Sequence, residues 1–186
     1  VLFGAVSPSG KLPFTFPVRL EDCSAHSAGE YPGEGQVVYR DGIFVGYRWI
    51  EKERIEPLFA FGHGLSYTTF AYSDLEVSPL RQRTQGEYTV KVNVTNTGKH
   101  AGDEVVQLYV RDKVSSVITY DSQLRGFERI SLKPGETRQV TFSLKPEDLQ
   151  ILDRNMNWTV EPGEFEVMIG ASSQDIRLKK TITALP

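Results

Sequence analysis

A single cysteine, Cys23, stands among 186 residues, so no intrachain disulfide and no thiolate metal cluster can form. Long apolar runs are also missing. The longest are a few residues, far short of the roughly 20 that a membrane-spanning helix needs. There is no excess of basic charge: 21 Lys and Arg against 24 Asp and Glu give a formal net charge of −3, and a nucleic-acid footprint usually needs a basic face. The 16 glycines follow no G-X-Y period, and 11% aromatic residues with mixed charges exclude collagenous, coiled-coil and disordered classes. The three histidines, His26, His63 and His100, lack the i, i+2 or i, i+4 spacing of a metal pair. The chain opens on Val1-Leu2-Phe3-Gly4-Ala5-Val6 without Met, a charged n-region or a cleavage site, which is not a signal peptide. It reads best as a fragment of a longer chain, and the compartment of the parent stays open.

What is present divides near residue 71. Residues 1–70 are rich in Gly, Pro and aromatics. Lys11–Pro17 reads as a short strand closed by prolines, and Glu21 to Gly35 carries loop chemistry. Val37–Tyr39 and Ile43–Trp49 flank Asp41-Gly42, which predicts a hairpin. A helix over 47–56 is the weaker alternative, because Pro57 would have to end it.

From residue 71 the pattern is one of short strands at regular spacing. Tyr88, Val90, Val92 and Val94 alternate with Thr89, Lys91, Asn93 and Thr95. Similar alternation runs through Val105–Val110, Val140–Lys145, Phe165–Ile169 and Ile176–Ile182, with turns at Lys133-Pro134-Gly135-Glu136 and Glu161-Pro162-Gly163. With Leu75–Val77 and Phe127–Leu132, seven strands are predicted, each with one apolar face, as a two-sheet β-sandwich requires. The one helical signal is a single turn, Pro146-Glu147-Asp148-Leu149, with Pro at its first position.

Several long motifs resemble glycoside hydrolase family 3. Pro8-Ser9-Gly10-Lys11-Leu12-Pro13-Phe14-Thr15-Phe16-Pro17 resembles the segment closing the α/β-sandwich domain of that family. Tyr39–Arg48 (YRDGIFVGYR) and Pro57–Phe70 (PLFAFGHGLSYTTF) are similar to its following linker, with Ala60 where the family usually carries proline. Ala101–Val110, Leu124–Ile130 and Val160–Val167 are similar to strands of its fibronectin type III-like domain. The resemblance implies an all-β, seven-stranded fibronectin type III-like (immunoglobulin-like) sandwich behind a linker and the tail of an α/β domain. The implied division is 1–17 for the tail, 18–70 for the linker and 71–186 for the sandwich. It implies a β-glucosidase parent that hydrolyses terminal β-D-glucosyl residues with retention and needs no cofactor. The partners of this part would be the parent's N-terminal catalytic domains and, through them, small β-glucosides. Neither nucleic acid nor membrane is expected, and a homo-oligomer is compatible.

Retention needs two carboxyl groups about 5–5.5 Å apart across the sugar. In the family the nucleophile sits in the N-terminal barrel and the acid/base in the α/β domain, and no position in this chain matches either motif. No catalytic, cofactor-binding or metal-ligating residue is therefore assigned within 1–186. Local candidates read as structural. Asp103-Glu104 and Glu147-Asp148 are adjacent carboxylates, and strand neighbours point to opposite faces, so solvated or turn-capping roles are expected. Gly64-Leu65-Ser66-Tyr67-Thr68 lacks the second glycine of a nucleophile elbow. His63, between Gly62 and Gly64, reads as holding a bend, since a general base needs a positioned partner. Trp49, Tyr47 and Trp158 could stack on a sugar, but packing is the commoner fate of such rings. Gly33-Glu34-Gly35 lacks the strand and Lys of a phosphate loop. The sequons at Asn93 and Asn157 read as chance matches. The leading function is bracing of the catalytic domains; an independent carbohydrate-binding module or an adhesion sandwich is the alternative.

Overall fold

The computed structural model describes residues 1–27, 29, 31–33 and 35–186. After a 3-10 turn (Leu20–Asp22) come the short helices α1 (Ser24–Ser27) and α2 (Tyr47–Lys52). Then follow β1 (Phe70–Ser78), β2 (Arg81–Arg83), β3 (Tyr88–Asn96), β4 (Gly102–Asp112), β5 (Gln123–Leu132) and β6 (Thr137–Leu144). A single-turn α3 (Pro146–Leu149), β7 (Ile151–Leu152), β8 (Trp158–Thr159), β9 (Gly163–Gly170) and β10 (Ile176–Leu185) complete the chain. Two sheets form the sandwich, one in the order β1-β3-β6 and one in the order β2-β10-β9-β4-β5; β7 and β8 pair separately. All pairings are antiparallel except β2 with β10. The chain is thus an all-β sandwich with little helix. Beyond the seven expected strands it has the short β2, β7 and β8.

The alternation in β3 explains its burial. Val90, Val92 and Val94 are fully buried, while Lys91 and Asn93 lie on the other face. Val92 sits opposite Val140 of β6 and Val90 opposite Phe142. These valines join Val106, Leu108, Val167, Ile169 and Ile182 of the second sheet in one apolar core. Burying a branched aliphatic side chain contributes roughly 1.5–3 kcal/mol, so each valine of this layer stabilises the sandwich. Asn96 continues the buried face of β3 as a polar residue. Its Nδ2 donates to the carbonyls of His100 (2.8 Å) and Leu132 (3.0 Å), which satisfies the buried amide.

Three expectations need correction. The hairpin over 37–49 does not form. Asp41-Gly42 does turn, with the Phe44 N–H on the Asp41 carbonyl at 3.0 Å, but Tyr47–Lys52 is helix. Alternating and helical apolar patterns are indistinguishable over so few residues. The helical spacing wins because it buries Ile50 and sets the Tyr47 hydroxyl to accept from the Leu124 N–H at 3.1 Å. Pro57 is no obstacle, since the helix stops at Lys52 and Arg54 already has φ of 54°.

Lys11–Pro17 is not a strand either. Among the described residues it makes one isolated bridge, Phe16 to Phe59, while the Leu12 N–H donates to the His63 carbonyl and the Leu12 carbonyl accepts from the Gly62 N–H, at 2.8 Å each. Pro13 and Pro17 lack the donors a longer ladder requires.

The third correction concerns β4, which is buried on both faces. Val106, Leu108 and Val110 face the core as expected, but Gln107 and Tyr109 are buried too, at 3% and 0% exposure. The segment before β1 covers the outer face of this strand.

Candidate functional site

The outer face of β4 is where the residues before β1 and the sandwich meet. The Gln107 Nε2 donates to the carbonyls of Gly62 (3.1 Å) and Ala171 (2.7 Å), and its Oε1 accepts from the Tyr109 hydroxyl at 2.6 Å. Gly62 has φ of +79°, and a Cβ there would lie 2.2 Å from Gln107 Oε1, so both the backbone and the approach require glycine. Phe61 stacks on Tyr47 with ring centroids 4.7 Å apart, and Tyr47 meets Tyr109 edge-on at 6.3 Å. Burial raises the Tyr109 phenol well above its ordinary value.

Glu51 of α2 enters this layer from above. Its Oε2 accepts from Ser122 Oγ at 2.7 Å, and its buried Oε1 has no partner among the described residues. Burial pushes its carboxyl up to about 7, against the lowering effect of the Ser122 hydrogen bond. A second link is ionic: Lys11 Nζ lies 2.9 Å from Glu104 Oε1 and donates to the Ala171 carbonyl at 3.2 Å. Glu104 is only 7% exposed, so its expected solvated role is corrected. The Lys11 ammonium compensates the buried charge.

The other sequence candidates separate cleanly. Asp103 bonds Arg129 Nε at 3.0 Å, and Asp148 accepts from the Lys145 N–H at 2.9 Å as a cap of α3. Ser66 Oγ has Ser7 Oγ (3.1 Å) and the Thr68 N–H (3.3 Å) as partners. His63 stacks on Phe59 at 5.2 Å, while its carbonyl holds the Leu12 N–H. The two do not form a nucleophile and base. Among the described residues no three His, Cys, Asp or Glu side chains gather to hold a metal ion. Trp49 donates its indole N–H to the Asp22 carbonyl at 3.1 Å, and Tyr47 is engaged as above; Trp158 is 68% exposed. Asn93 bonds Asp74 Oδ2 at 3.0 Å, and Asn157 is exposed in a turn. Glu34 of the Gly33-Glu34-Gly35 turn lies outside the described residues.

Sequence reading missed Lys11, Gln107 and Glu51 as the residues that join the two parts. A Gln at an expected outward position of an otherwise apolar strand was the available signal.

This arrangement positions and fastens: buried bonds join the early segment to a sandwich of the fibronectin type III-like class. Residues 104–173 match the fibronectin type III-like domain, and residues 1–67 match the glycosyl hydrolase family 3 C-terminal domain. Beta-glucosidase BoGH3A of Bacteroides ovatus is 49% identical over 181 residues, covering 95% of this chain and 24% of that protein. A beta-xylosidase of Formosa agariphila is 45% identical over 185 residues, covering 96% of this chain and 24% of that protein. The crystal structure of a Bifidobacterium adolescentis GH3 beta-glucosidase superposes with a TM-score of 0.90 at 36% identity, covering 100% of this chain and 28% of that one. The chain belongs to glycoside hydrolase family 3 and corresponds to the C-terminal part of its members. It spans about a quarter of the length of the curated relatives it matches.

Proposed function

We propose that this chain is the non-catalytic C-terminal portion of a retaining β-glucosidase and that it braces the catalytic domains, which supply both carboxylates. In this reading residues 1–17 are the tail of an α/β domain, 18–70 a linker and 71–186 an independent sandwich.

The observation that carries it is the distribution of apolar surface. Among the described residues, eighteen exposed large hydrophobic residues fall within 1–67, including Phe3 at 100% and Tyr39 at 87% exposure, against six in the rest of the chain. The early segment is already fastened to the sandwich through Gln107, Lys11 and Tyr47, yet it keeps this second surface uncovered. Exposed large apolar residues concentrated in one segment suit an interaction surface. The sandwich supports the early segment, and the early segment offers its free face to the catalytic domains.

Replacing the matching 181 residues of the Bacteroides ovatus enzyme with this chain tests the reading. The exchanged protein is expected to hydrolyse an aryl β-glucoside, and to lose that activity when Phe3→Asp and Tyr39→Asp are introduced. The 186-residue chain alone is expected to show no turnover. Turnover by the isolated chain that a substitution within it abolishes, or full activity of the doubly substituted exchange, would overturn the proposal.

A further inference from the structure

A groove of about 690 Å³ opens between the α2 region and the β7–β8 hairpin, within the roughly 300–1,000 Å³ typical of small-ligand sites. Its apolar lining includes Ile43, Ile118, Ile151 and Trp158, from four separate segments. Ile118 is 76% exposed and Trp158 68%. Trp158 sits on a two-residue strand paired with Leu152, and the sandwich core does not include it. The polar lining includes Arg48, Arg125, Gln123 and Gln150. Among the described residues the Nε atoms of both arginines have no hydrogen-bond partner, so each guanidinium has donor capacity that the described residues do not use.

The walls are held before any ligand arrives. The Ser116 N–H donates to Glu161 Oε2 at 2.8 Å, and Arg154 Nη2 donates to the Ser116 carbonyl at 3.3 Å, fixing the loop that carries Ile118. The Arg48 guanidinium lies 4.4 Å over the Tyr120 ring, which Phe44 meets edge-on at 6.0 Å. Such preorganisation reduces the ordering cost of binding.

A flat exposed indole and amide and guanidinium donors lining one groove suit a ring that is apolar on its faces and polar around its rim. A lipid chain would leave the guanidinium and amide donors without acceptors. An anion would meet Glu147, which lines the same groove. We propose that this groove binds a neutral saccharide, with Trp158 as the stacking platform and Arg125 and Gln150 as hydrogen-bond donors to its hydroxyls. Of the exposed apolar residues in 1–67 that carry the bracing role, only Ile43 lines the groove.

The chain has two tryptophans, so each indole N–H gives its own signal in a 1H–15N spectrum of the full 186-residue chain. Trp49, with its N–H on the Asp22 carbonyl, is an internal control. Titration with cellotriose and with laminaritriose is expected to move the Trp158 signal saturably with at least one of them and to leave Trp49 in place. By calorimetry, Trp158→Ala is expected to weaken that sugar at least about tenfold, and Gln150→Ala to weaken it severalfold. Both side chains lie outside the core cluster, and the Gln150 variant keeps the test open should the Trp158 variant fail to fold. No saturable shift at about 10 mM of either sugar, or unchanged affinity in both variants, would overturn the proposal.

Discussion

Gln107 of β4 holds the carbonyl of Gly62 at 3.1 Å, across the boundary between a strand of the sandwich and the segment that precedes it. The same amide reaches Ala171 at 2.7 Å and accepts from Tyr109 at 2.6 Å. One buried side chain thus ties two β-strand neighbourhoods to a glycine in the left-handed region. Removing it leaves three buried polar groups without this partner.

Gln107→Leu is therefore expected to destabilise the chain by about 2–4 kcal/mol, since each stranded buried group costs about 1–3 kcal/mol. Gly62→Ala, forced against Gln107 Oε1 at positive φ, is expected to cost at least about 1 kcal/mol. Because the two residues touch, the double variant should fall short of additivity by about 0.5 kcal/mol or more. Urea unfolding of the four proteins measures this, and strict additivity would mean that the bond contributes nothing.

Glu51 predicts a pH dependence with a definite sign. Its folded carboxyl titrates at about 7, above the ordinary 4.5, chiefly through burial. The folded state then binds the proton more tightly than the unfolded one. The corresponding stability is fully present below pH 4.5 and is lost as pH rises through about 7. Glu51→Gln keeps an acceptor for Ser122 and removes the charge. It is expected to stabilise the chain by about 1–3 kcal/mol at pH 8 and to change little at pH 4. Thermal melts at the two pH values decide it, and equal effects at both would show that the carboxyl is not desolvated.

Within β3, Val92→Ala is expected to cost about 1–3 kcal/mol, because Val92 is fully buried opposite Val140. Lys91→Ala, on the outer face of the same strand, should stay within about ±0.5 kcal/mol. A similar loss from both changes in urea melts would place the strand in the wrong register.

The proposed division at residue 70 predicts where a protease enters. Tyr39 is 87% exposed in a stretch from Gln36 to Arg40 without helix or strand. Chymotrypsin is expected to cut there early and to leave a resistant product that retains residues 71–186, since ladder-bonded strands are cleaved after exposed segments. Mass spectrometry of the time course reads this. First cleavage inside β3 or β4 would argue for one cooperative unit.

Much of the sandwich was legible because β3 and β6 write their burial as a period of two, and a strand side chain points to one face or the other. Family resemblance in the Leu124–Ile130 and Val160–Val167 stretches pointed to the same architecture. The helix at Tyr47–Lys52 was not legible: Ile43, Val45, Tyr47 and Trp49 alternate as a strand would, and six residues are too few for the helical period to separate. Tyr47, Trp49 and Trp158 are equal sugar-stacking candidates in the sequence, and nothing in the order of residues distinguishes the three.

Alternation along the chain marks which side chains of β3 and β6 face inward, and the long ordered motifs mark the family to which the chain belongs. What lies over the opposite face is set by segments remote in the chain. Lys11 finds Glu104, Gly62 finds Gln107, and Glu51 finds Ser122, each pair distant in the chain and the first two turning an expected outward position into a buried one. The reason is physical: periodicity records the direction in which a side chain points, whereas its burial, its charge state and its partner depend on which remote segment comes to rest above it.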